Sequence, residues 1–529
     1  MHQPGKQHEV GWLWRNEVEL AALVVIGVGA MALRVWPLGG YAHNYDEGIY
    51  WQCLRAMARG ELPFRSVYSS QPQAYLLALL LPYLLLGQTL IAARVTMALY
   101  SLVALAGMYC AGKMLGGRWA GIGACALLAV QPLFLRQSYT VMAEMPALAF
   151  ACVAVALAIA AGRHAGRWGY WLAVGSGVAL AFGVLTKLLD VAAIAPVVAS
   201  VVGSEIAARD GSARARARAM RGAMRRMALL GLGVVVGAAV VTAPYLSSLG
   251  AIFDQAVGLH LTAQNRLNRG IGFNLTLIIG TARMYGGYAL AGMAGIAVAL
   301  ALWRRSGVVV VPVVWLVGSV AVVLHQQPLY DHHVVALTPP LALLAGLSLS
   351  LAWGAANGRA VAVGSRAAGG ARASTGRPYA GWWRVMGRVA LVTATLVMME
   401  VTLAVSVQVD VRESQVAAVA ISSAEQRIVE TLDMKTTPGE YIVSDDQFTV
   451  GLANRDVPPE LTDTSEGRIE SGNLTSAALE AVILRDHVRA VYFGTGRFDL
   501  LPDFVGWVRA HFKEEISFGN GQRLYLTTG

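Results

Sequence analysis

The sequence contains little charge for its length. Of its 529 residues, 14% are charged and 56% are hydrophobic, and the mean hydropathy is +0.53. Too few polar side chains are available to cover a soluble globule of this size, so the composition excludes a water-soluble enzyme. The apolar residues instead form runs of about 17–25 residues, the length with which a helix crosses ~30 Å of hydrocarbon. The composition predicts a polytopic α-helical membrane protein.

Cysteines and nucleotide-binding motifs are also scarce. The chain has 4 cysteines, and their scattered positions give neither a disulfide framework nor the spacing of zinc ligands. Gly494 and Gly496 follow a strand-like segment, but the rest of a G-x-G-x-x-G fingerprint is missing. These absences exclude a disulfide-stapled domain, a cysteine zinc site and a Rossmann-type nucleotide site.

The net charge of +10 comes from arginines that are concentrated in two connecting segments. The first segment contains no aromatic side chain that could stack on nucleic-acid bases, and the aromatic residues of the second, Tyr379, Trp382 and Trp383, are grouped near its end rather than interleaved along it. Basic loops are typical of the cytoplasmic side of a membrane protein, so we expect both segments to be cytoplasmic and no nucleic acid to be bound. The arginines are Arg209, Arg214, Arg216, Arg218, Arg221, Arg225 and Arg226 in the first segment and Arg359, Arg366, Arg372, Arg377, Arg384 and Arg388 in the second.

The apolar runs and the basic residues together predict a topology. With a cytoplasmic N-terminus, about eleven transmembrane helices put every basic turn in the cytoplasm and leave the C-terminus outside. The first run, 18–36, lacks a cleavage site and is expected to be a retained anchor. It precedes a long first external loop, 37–90, in which the apolar stretch 74–86 is too short to span and is expected at the interface. The other runs are 94–112, 119–135, 146–161, 169–185, 189–204, 227–245, 280–302, 308–324, 334–353 and 389–408.

Residues 409–529 have ordinary polarity. Strand-like segments EYIVSD, RAVYFG and RLYLT alternate with helix-like segments SSAEQRIVETLDM, SAALEAVILRD and LPDFVGWVRAHF, which predicts a small α/β domain. We therefore expect a transmembrane domain, 1–408, and a C-terminal extracytoplasmic domain, 409–529. The whole chain is expected to be a multi-pass protein of the plasma membrane.

Most of the remaining ionisable residues fall on the external side of this topology. Charges at membrane depth are expensive and mark functional sites. Their convergence on one face predicts a site at the external membrane surface. The residues are Asp46, Glu47, Arg136, Glu144, Lys187, Asp190, His260 in the predicted loop 246–279, and the segment from His325 to His333.

Several motifs resemble those of a known family in their order and spacing. They are YDEGIYWQCLRAMARGELPF, QPQAYLLALLLPYLLLG, ARVTMALYSLVALAGMYCAGKMLGGRWAG, RQSYTVMAEMPALAF, LTKLLDVAAIAPVV and PLYDHHVVALTPPLALLAG. Over residues 18–353 the chain resembles membrane glycosyltransferases of the GT-C fold, above all bacterial relatives of dolichyl-phosphate-mannose protein mannosyltransferases and of lipid A aminoarabinose transferases. The resemblance implies transfer of a sugar from a polyprenyl-phosphate carrier to an acceptor on the non-cytoplasmic face, with mannose as the sugar that the family suggests.

The resemblance places a catalytic base at Asp46. A carboxylate within hydrogen-bond reach can take the proton of an acceptor hydroxyl as the hydroxyl attacks the anomeric carbon. An Asp in the first turn of a helix is also a common cap, and the two roles are compatible. For Glu47 three roles remain open, namely orienting the acceptor, binding a metal and completing the cap.

The departing lipid phosphate requires cations at the outer membrane surface. Lys187, in a family-like TK turn, and Arg136 are the candidate phosphate-binding residues. His332 and His333 could add hydrogen bonds to the phosphate or the sugar, with ordinary interfacial polarity as the alternative. For Arg136 the alternative is an interfacial snorkelling residue.

Other external residues are candidates for binding the acceptor. Glu144 matches the acidic position of the family's second external loop and could position the acceptor or join a metal site, with a plain helix start before Pro146 as the alternative. Tyr45, Tyr330 and Asp331 complete this group. Adjacent histidines on a regular helix point in different directions, so a chelating pair is not expected. A divalent metal is compatible with the sequence but is not required by it.

Two other classes of function stay open on sequence alone. A lipid or glycan flippase would also be a helical bundle, but it would carry charges near mid-membrane and often two similar halves. A scaffold would not need the external cluster. The expected partners are a polyprenyl-phosphate-linked sugar donor, membrane lipids, and a lipid, glycan or protein acceptor. The segment Gln71-Pro72-Gln73 departs from the family's K-P-P or H-P pattern, so no role is carried over to it.

Overall fold

The structure is a computed structural model that describes residues 6–164, 166–207, 213–356 and 378–527. Some arginines of the two basic segments lie outside the described residues, namely Arg209, Arg359, Arg366, Arg372 and Arg377. The described chain is mostly helical and has one small sheet near its C-terminal end.

The described residues up to Ala417 are mostly α-helical. The helices are α1 (Lys6–Val35), α2 (Tyr45–Ala58), α3 (Ala74–Leu85), α4 (Leu90–Gly116), α5 (Arg118–Ala129), α6 (Pro132–Gln137), α7 (Glu144–Arg163), α8 (Arg167–Thr186), α9 (Ile194–Ala207), α10 (Ala213–Thr242), α11 (Leu249–Phe253), α12 (Leu259–Arg266), α13 (Gly270–Met284), α14 (Gly287–Trp303), α15 (Val310–His325), α16 (Thr338–Ala356) and α17 (Pro378–Ala417). The 3-10 segments are Trp36–Gly39, Leu188–Ala193, Ala243–Ser248, Gly307–Val309 and Asp331–Leu337, and Asp254–Gly258 is a π-helical turn.

Within the described residues, 8 helices are long and apolar enough to cross a membrane, or up to 9 when the bent pair α13 and α14 is counted as one span. The chain is thus a multi-pass membrane protein, as the sequence predicts. Two of the predicted spans, 119–135 and 189–204, coincide with the shorter apolar helices Arg118–Ala129 and Leu188–Gly203. The apolar stretch 74–86 is also a short helix, Ala74–Leu85.

Local backbone chemistry explains why the observed helices differ from the predicted runs. Helix α5 ends at Ala129 because Gln131 caps a new helix, accepting the N–H of Phe134 at 2.7 Å, with Pro132 at its first position. Gly286 adopts a left-handed conformation with φ of +66°, and the chain bends there by 98°. Helical segments occupy most of the predicted external connection 246–279.

The two most enclosed spans both begin at the predicted site. In their most apolar stretches, 72% of α7 and 83% of the segment Asp331–Trp353 is buried inside the protein. Small residues permit this close packing. A Cβ on Gly107 of α4 would lie 2.9 Å from the backbone carbonyl carbon of Cys152 on α7, and a Cβ on Gly346 of α16 would lie 2.5 Å from the backbone nitrogen of Ala124 on α5. Because α7 starts at Glu144, rigid elements hold Glu144 and the residues after Asp331 at the same end of the bundle.

Helix α2 lies between the bundle and the C-terminal part of the chain. A Cβ on Gly48 would lie 2.4 Å from the backbone nitrogen of Phe448, so only glycine permits this approach. Arg55 donates a hydrogen bond of 2.6 Å to Asp456, and the Gln52 side chain donates to the carbonyl of Arg455 at 3.1 Å. These contacts fix α2 against residues 446–456.

The C-terminal unit, which we define as residues 423–527, is an α/β fold with its own apolar cores. Its sheet has the order β1-β2-β4-β3, in which β1 and β2 are parallel and the other neighbours are antiparallel. The strands are β1 (Ile442–Ser444), β2 (Ala490–Phe493), β3 (Glu514–Gly519) and β4 (Gln522–Leu526). The helices are α18 (Ser423–Lys435), α19 (Gln447–Leu452), α20 (Glu466–Glu470), α21 (Ser476–Arg485) and α22 (Pro502–His511). Three strands and three helices match the predicted segments, and only β3 among the strands has no predicted counterpart.

Candidate active site

The two neighbouring carboxylates Asp46 and Glu47 occupy the first turn of α2. Asn44 caps this helix, because its Oδ1 accepts a hydrogen bond of 3.0 Å from the backbone N–H of Glu47. Asp46 is the second residue of α2. Its alternative role was to cap this helix, but Asn44 occupies the cap position.

Glu47 lies in a fully paired environment. Arg94 of α4 donates to both of its carboxylate oxygens, at 2.8 and 2.6 Å, and the backbone N–H of Val141 donates to Oε1 at 2.9 Å. Arg94 also donates to the carbonyls of Leu38 and Gly40, at 2.8 and 2.5 Å. Glu47 is 1% exposed. We call Glu47, Arg94 and Val141 the Glu47 side; it ties α2 to α4 and leaves the carboxylate no open position.

Asp46 faces a different group of residues. Lys187 Nζ donates a hydrogen bond to Oε1 of Glu144, and Nε2 of His332 and of His333 lie 3.5 and 3.9 Å from the same oxygen. Glu144 is buried, and its Oε2 has no hydrogen-bond partner among the described residues. We call Asp46, Glu144, Lys187, His332 and His333 the Asp46 side. The structure thus brings together five of the residues that the sequence singled out.

The surroundings of Asp46 tune its basicity. Burial raises the pKa of its carboxyl above the ordinary value, the nearby His332 and Lys187 partly oppose this, and the negative charges of Glu144 and Asp463 add to it. A carboxylate with a raised pKa binds a proton more strongly, which suits a general base. Asp46 is also only partly buried, so a substrate hydroxyl can reach it.

Arg136 lies apart from Lys187. Its Nη1 donates to Asp331 at 3.0 Å and to the hydroxyl of Tyr285 at 2.6 Å. Together with Arg94, Glu47 and His43 it lines a cavity of about 200 Å³ that none of Glu144, Lys187 and His332 lines. Arg136 and Lys187 therefore do not form a single phosphate-binding site in this conformation.

The segment after Tyr330 brings the two histidines to one carboxylate. It folds as a 3-10 helix, Asp331–Leu337, and the ring centroids of His332 and His333 are 4.3 Å apart. Asp331 Oδ1 accepts the N–H of His332 at 2.8 Å, and the Tyr330 ring stacks on His332 at 5.7 Å. The expectation that adjacent histidines diverge is therefore wrong at this place, because the segment is not a regular α-helix.

Three side chains of the Asp46 side could hold a metal ion. The ligand atoms of Glu144, His332 and His333 all lie within 4.8 Å of one another. The Oε2 of Glu144, which has no hydrogen-bond partner among the described residues, offers a further ligand atom. His333 fits less well, because its Nδ1 accepts the Tyr330 N–H at 3.3 Å. The proton of neutral His333 therefore lies on Nε2, the atom that would have to bind the metal. A Glu144–His332 pair fits a cation better than the full triad does.

The C-terminal unit also contributes to the site, which the sequence did not indicate. The hydroxyl of Tyr45 lies 3.3 Å from Oγ1 of Thr464, and the Arg497 guanidinium lies 3.4 Å from the centre of the Tyr45 ring. Asp463 precedes Thr464 and is 2% exposed. The only sequence signal was a run of polar residues, LTDTSEG, between the predicted segments EYIVSD and SAALEAVILRD.

Comparison with known structures identifies the fold as that of the GT-C membrane glycosyltransferases. The chain is similar to ArnT from Cupriavidus metallidurans bound to undecaprenyl phosphate, with a TM-score of 0.62 and 14% identity over 96% of this chain and 98% of that one. The apo state of ArnT gives a TM-score of 0.59 and 15% identity, covering 98% of both chains.

An archaeal structure has the same fold. The oligosaccharyltransferase AglB from Archaeoglobus fulgidus, in complex with an inhibitory peptide and a dolichol-phosphate, gives a TM-score of 0.53 and 12% identity over 97% of this chain and 75% of that one. At the sequence level, the model of the dolichyl-phosphate-mannose-protein mannosyltransferase family matches residues 70–214, which include Arg136, Glu144 and Lys187. Comparison with curated proteins gives no match.

Proposed function

We propose that this protein is a glycosyltransferase that moves a sugar from a polyprenyl-phosphate carrier to an acceptor hydroxyl on the non-cytoplasmic face of the membrane. The observation that carries the proposal is the Asp46 side itself: a partly buried carboxylate of raised pKa faces the Lys187–Glu144 pair at the end of a GT-C bundle. The family match and the ArnT and AglB similarities support this class of donor.

Asp46 is the base in this proposal. It accepts the proton of the acceptor hydroxyl while the oxygen attacks the anomeric carbon, and the bond from that carbon to the phosphate oxygen breaks. Burial strengthens Asp46 as a base, and its neighbours Lys187 and His332 keep enough positive potential nearby for it to ionise. Glu47, locked to Arg94, positions the helix that carries Asp46.

Lys187 and the histidines serve the leaving group. The Lys187 ammonium is held against Glu144 by an ion pair and can exchange part of that pairing for the charge that develops on the departing phosphate. His332 can donate a hydrogen bond to the same oxygens. Glu144, Tyr45, Tyr330 and Asp331 then line the space in which the acceptor binds, and a divalent cation at Glu144 and His332 would add further positive charge.

The function is tested with purified protein and a panel of polyprenyl-phosphate sugars that begins with mannose. Release of polyprenyl phosphate is the readout, so the assay does not depend on knowing the product. We expect turnover with at least one donor when membrane lipids, glycans and peptides are offered as acceptors, and loss of turnover in Asp46→Asn. Translocation of a labelled lipid across proteoliposomes without sugar transfer would favour the flippase alternative instead.

The orientation requires its own test. We propose a cytoplasmic N-terminus and an extracytoplasmic C-terminal unit, because the basic connecting segments obey the positive-inside rule. A reporter fused after Gly529 should be active only in the non-cytoplasmic compartment, and one inserted near Arg216 only in the cytoplasm. Activity of both reporters on the same side would contradict an external active site.

A further inference from the structure

The Asp46 side and its immediate surroundings contain more negative than positive side chains. The carboxylates are Asp46, Glu144, Asp331 and Asp463, and the cations are Lys187, Arg136 and Arg468. The Arg468 guanidinium donates to the backbone carbonyls of Glu460 and Asp463. Lys187 is paired with Glu144, and Arg136 is paired with Asp331. An anionic donor would therefore meet net repulsion unless another positive charge faces the site.

Arg497 is a cation at this site that has no carboxylate partner. Its guanidinium carbon lies 3.4 Å from the centre of the Tyr45 ring, next to Asp46 in the chain. Among the described residues its guanidinium makes no hydrogen bond or ion pair, and the ring contact is the one specific interaction of that group. The N–H groups of a guanidinium lie in its plane and point away from an aromatic ring on which the group is stacked. They therefore stay available to donate two parallel hydrogen bonds to a phosphate.

The loop that carries Arg497 is rigid. The buried Asp445 carboxylate accepts the backbone N–H groups of Gly494 at 2.6 Å, Thr495 at 3.2 Å and Phe498 at 3.1 Å, so it clamps the chain on both sides of Arg497. This clamp follows directly after β1 and β2 and faces α2. Because the guanidinium is held by the loop and by Tyr45, little conformational entropy is lost when it binds an anion.

Asp463 lies on the same wall of the site. Thr462 Oγ1 donates to the carbonyl of Tyr68 at 3.0 Å, and Thr464 contacts the Tyr45 hydroxyl, so both neighbours of Asp463 are attached to the first external segment. The Asp463 backbone carbonyl accepts a hydrogen bond of 2.6 Å from Arg468. The C-terminal unit thus closes over the N-terminal end of α2 rather than standing apart from the membrane part.

We propose that Arg497 is a phosphate-binding residue of the transfer site, contributed by the C-terminal unit, and that the phosphate it binds is the one at the end of the polyprenyl carrier. The identity of the carrier rests on the proposed function, whereas the position of Arg497 beside Tyr45 and its lack of a carboxylate partner do not. The charges of Lys187 and Arg136 are each matched by a carboxylate. In this arrangement Arg497 supplies a positive charge that no carboxylate neutralises.

The test is direct binding of undecaprenyl phosphate to the full-length protein in EDTA, which removes any contribution from a metal. Arg497→Gln should weaken binding about 10-fold or more, the size expected for loss of a hydrogen-bonded charge pair. Arg497→Lys should recover part of the affinity. Arg427→Gln, which removes an exposed arginine from α18 on the same unit, is the matched control and should bind like the wild type.

A second ligand separates phosphate recognition from a structural effect. Undecaprenol has the same chain without the phosphate, so its weak binding should be equal in wild type and Arg497→Gln. Equal loss of both ligands, or a large fall in thermal stability that Arg497→Lys does not restore, would make Arg497 a docking residue and overturn the proposal.

The remaining outcomes distinguish this proposal from the proposed function. If wild type does not bind undecaprenyl phosphate at all, the polyprenyl-phosphate donor itself is wrong. If wild type binds and Arg497→Gln binds equally well, the Arg497 assignment is wrong. If binding is unchanged but the KM for an anionic acceptor rises, the anion at Arg497 belongs to the acceptor and the carrier assignment is overturned.

Discussion

The Glu47 side and the Asp46 side begin at adjacent residues and have opposite properties. Glu47 receives three hydrogen bonds from Arg94 and Val141, and its charge is matched by a buried guanidinium. On the Asp46 side, one Glu144 oxygen is shared among Lys187 and two histidines while the other has no partner among the described residues. The first arrangement is complete as it stands, whereas the second has unused hydrogen-bonding capacity.

This difference separates structural carboxylates from reactive ones. A fully paired buried carboxylate cannot accept a substrate proton without losing its bonds, and breaking such a pair destabilises the fold. A partly exposed carboxylate with a raised pKa and no salt-bridge partner among the described residues can take up and release a proton without breaking such a pair. The comparison makes different predictions for the two neighbours.

The largest effect is expected on stability, at Glu47. Glu47→Gln leaves the Arg94 guanidinium buried without its counter-ion, and breaking a buried pair in this way costs about 3–5 kcal/mol. Unfolding of purified protein in detergent should report this loss. The double variant Glu47→Leu/Arg94→Met should be more stable than Glu47→Gln, because it removes both charges together. Wild-type stability in Glu47→Gln would contradict a structural role for the pair.

Asp46→Asn tests the other member of the comparison. Asn44 still caps α2, so stability should stay close to wild type, but transfer should fall about 100-fold or more because an amide cannot take a proton. The pH profile sharpens the test. Since burial raises the pKa of Asp46, the acidic limb of kcat/KM should lie above the ordinary aspartate pKa of about 4. If Asp46→Asn retains most of its activity, Glu144 becomes the better candidate for the base.

Lys187→Met should have a smaller effect on transfer, exerted through donor binding. Loss of the ammonium removes one positive charge of the Asp46 side and should weaken donor binding about tenfold, near 1.4 kcal/mol, as for one charge-assisted hydrogen bond. Because the change also leaves the buried Glu144 without its counter-ion, it should lower stability as well. The acceptor KM should not change. Lys435→Met, on the exposed face of α18, is the matched control. Unchanged donor affinity would leave Lys187 with the purely structural role of neutralising Glu144.

The sequence predicted the elements of the fold better than their contacts. Hydrophobic run length located each of the 8 candidate spans among the described residues, because burial in lipid dictates that pattern locally. It missed most of the apolar helix Gly270–Met284, which lies in the predicted loop 246–279. It could not distinguish full spans from the short helices Arg118–Ala129 and Leu188–Gly203. Strand β3 was missed because Glu514 and Glu515 are poor strand formers, and their place at the edge of the sheet depends on pairing with β4.

The candidate site was predictable only as a set of residues. Adjacent carboxylates look alike in sequence, and what distinguishes Glu47 is Arg94, forty-seven residues further along the chain. The convergence of His332 and His333 depends on a 3-10 turn that hydrophobic periodicity does not predict. Arg497 belongs to a different part of the fold altogether, and nothing in its local sequence indicates Tyr45 as its neighbour.

The smallest expected effect concerns the link between His43 and the C-terminal unit. Nε2 of His43 lies 2.9 Å from Oδ1 of Asp446. Burial alone would lower the pKa of His43, but the hydrogen bond and the negative charge of Asp446 outweigh burial and raise it. A raised pKa means that the folded protein favours protonated His43. The stabilisation that the His43–Asp446 pair gives to the folded protein is therefore fully present below the unfolded-state pKa of about 6.5. It is lost as the pH rises through the pKa of His43 in the folded state.

His43→Gln should accordingly lower stability by about 0.5 kcal/mol near pH 5.5, a value typical of a partly exposed ion pair. The difference from wild type should shrink toward zero at pH 8.5, where His43 is neutral and glutamine offers Asp446 a comparable neutral donor. Thermal unfolding at the two pH values measures this difference. His511→Gln is the matched control, because the exposed His511 bonds to the Trp507 carbonyl at 2.8 Å and has no carboxylate partner among the described residues. A pH-independent difference for His43→Gln would mean that packing, rather than charge, holds the C-terminal unit against the start of α2.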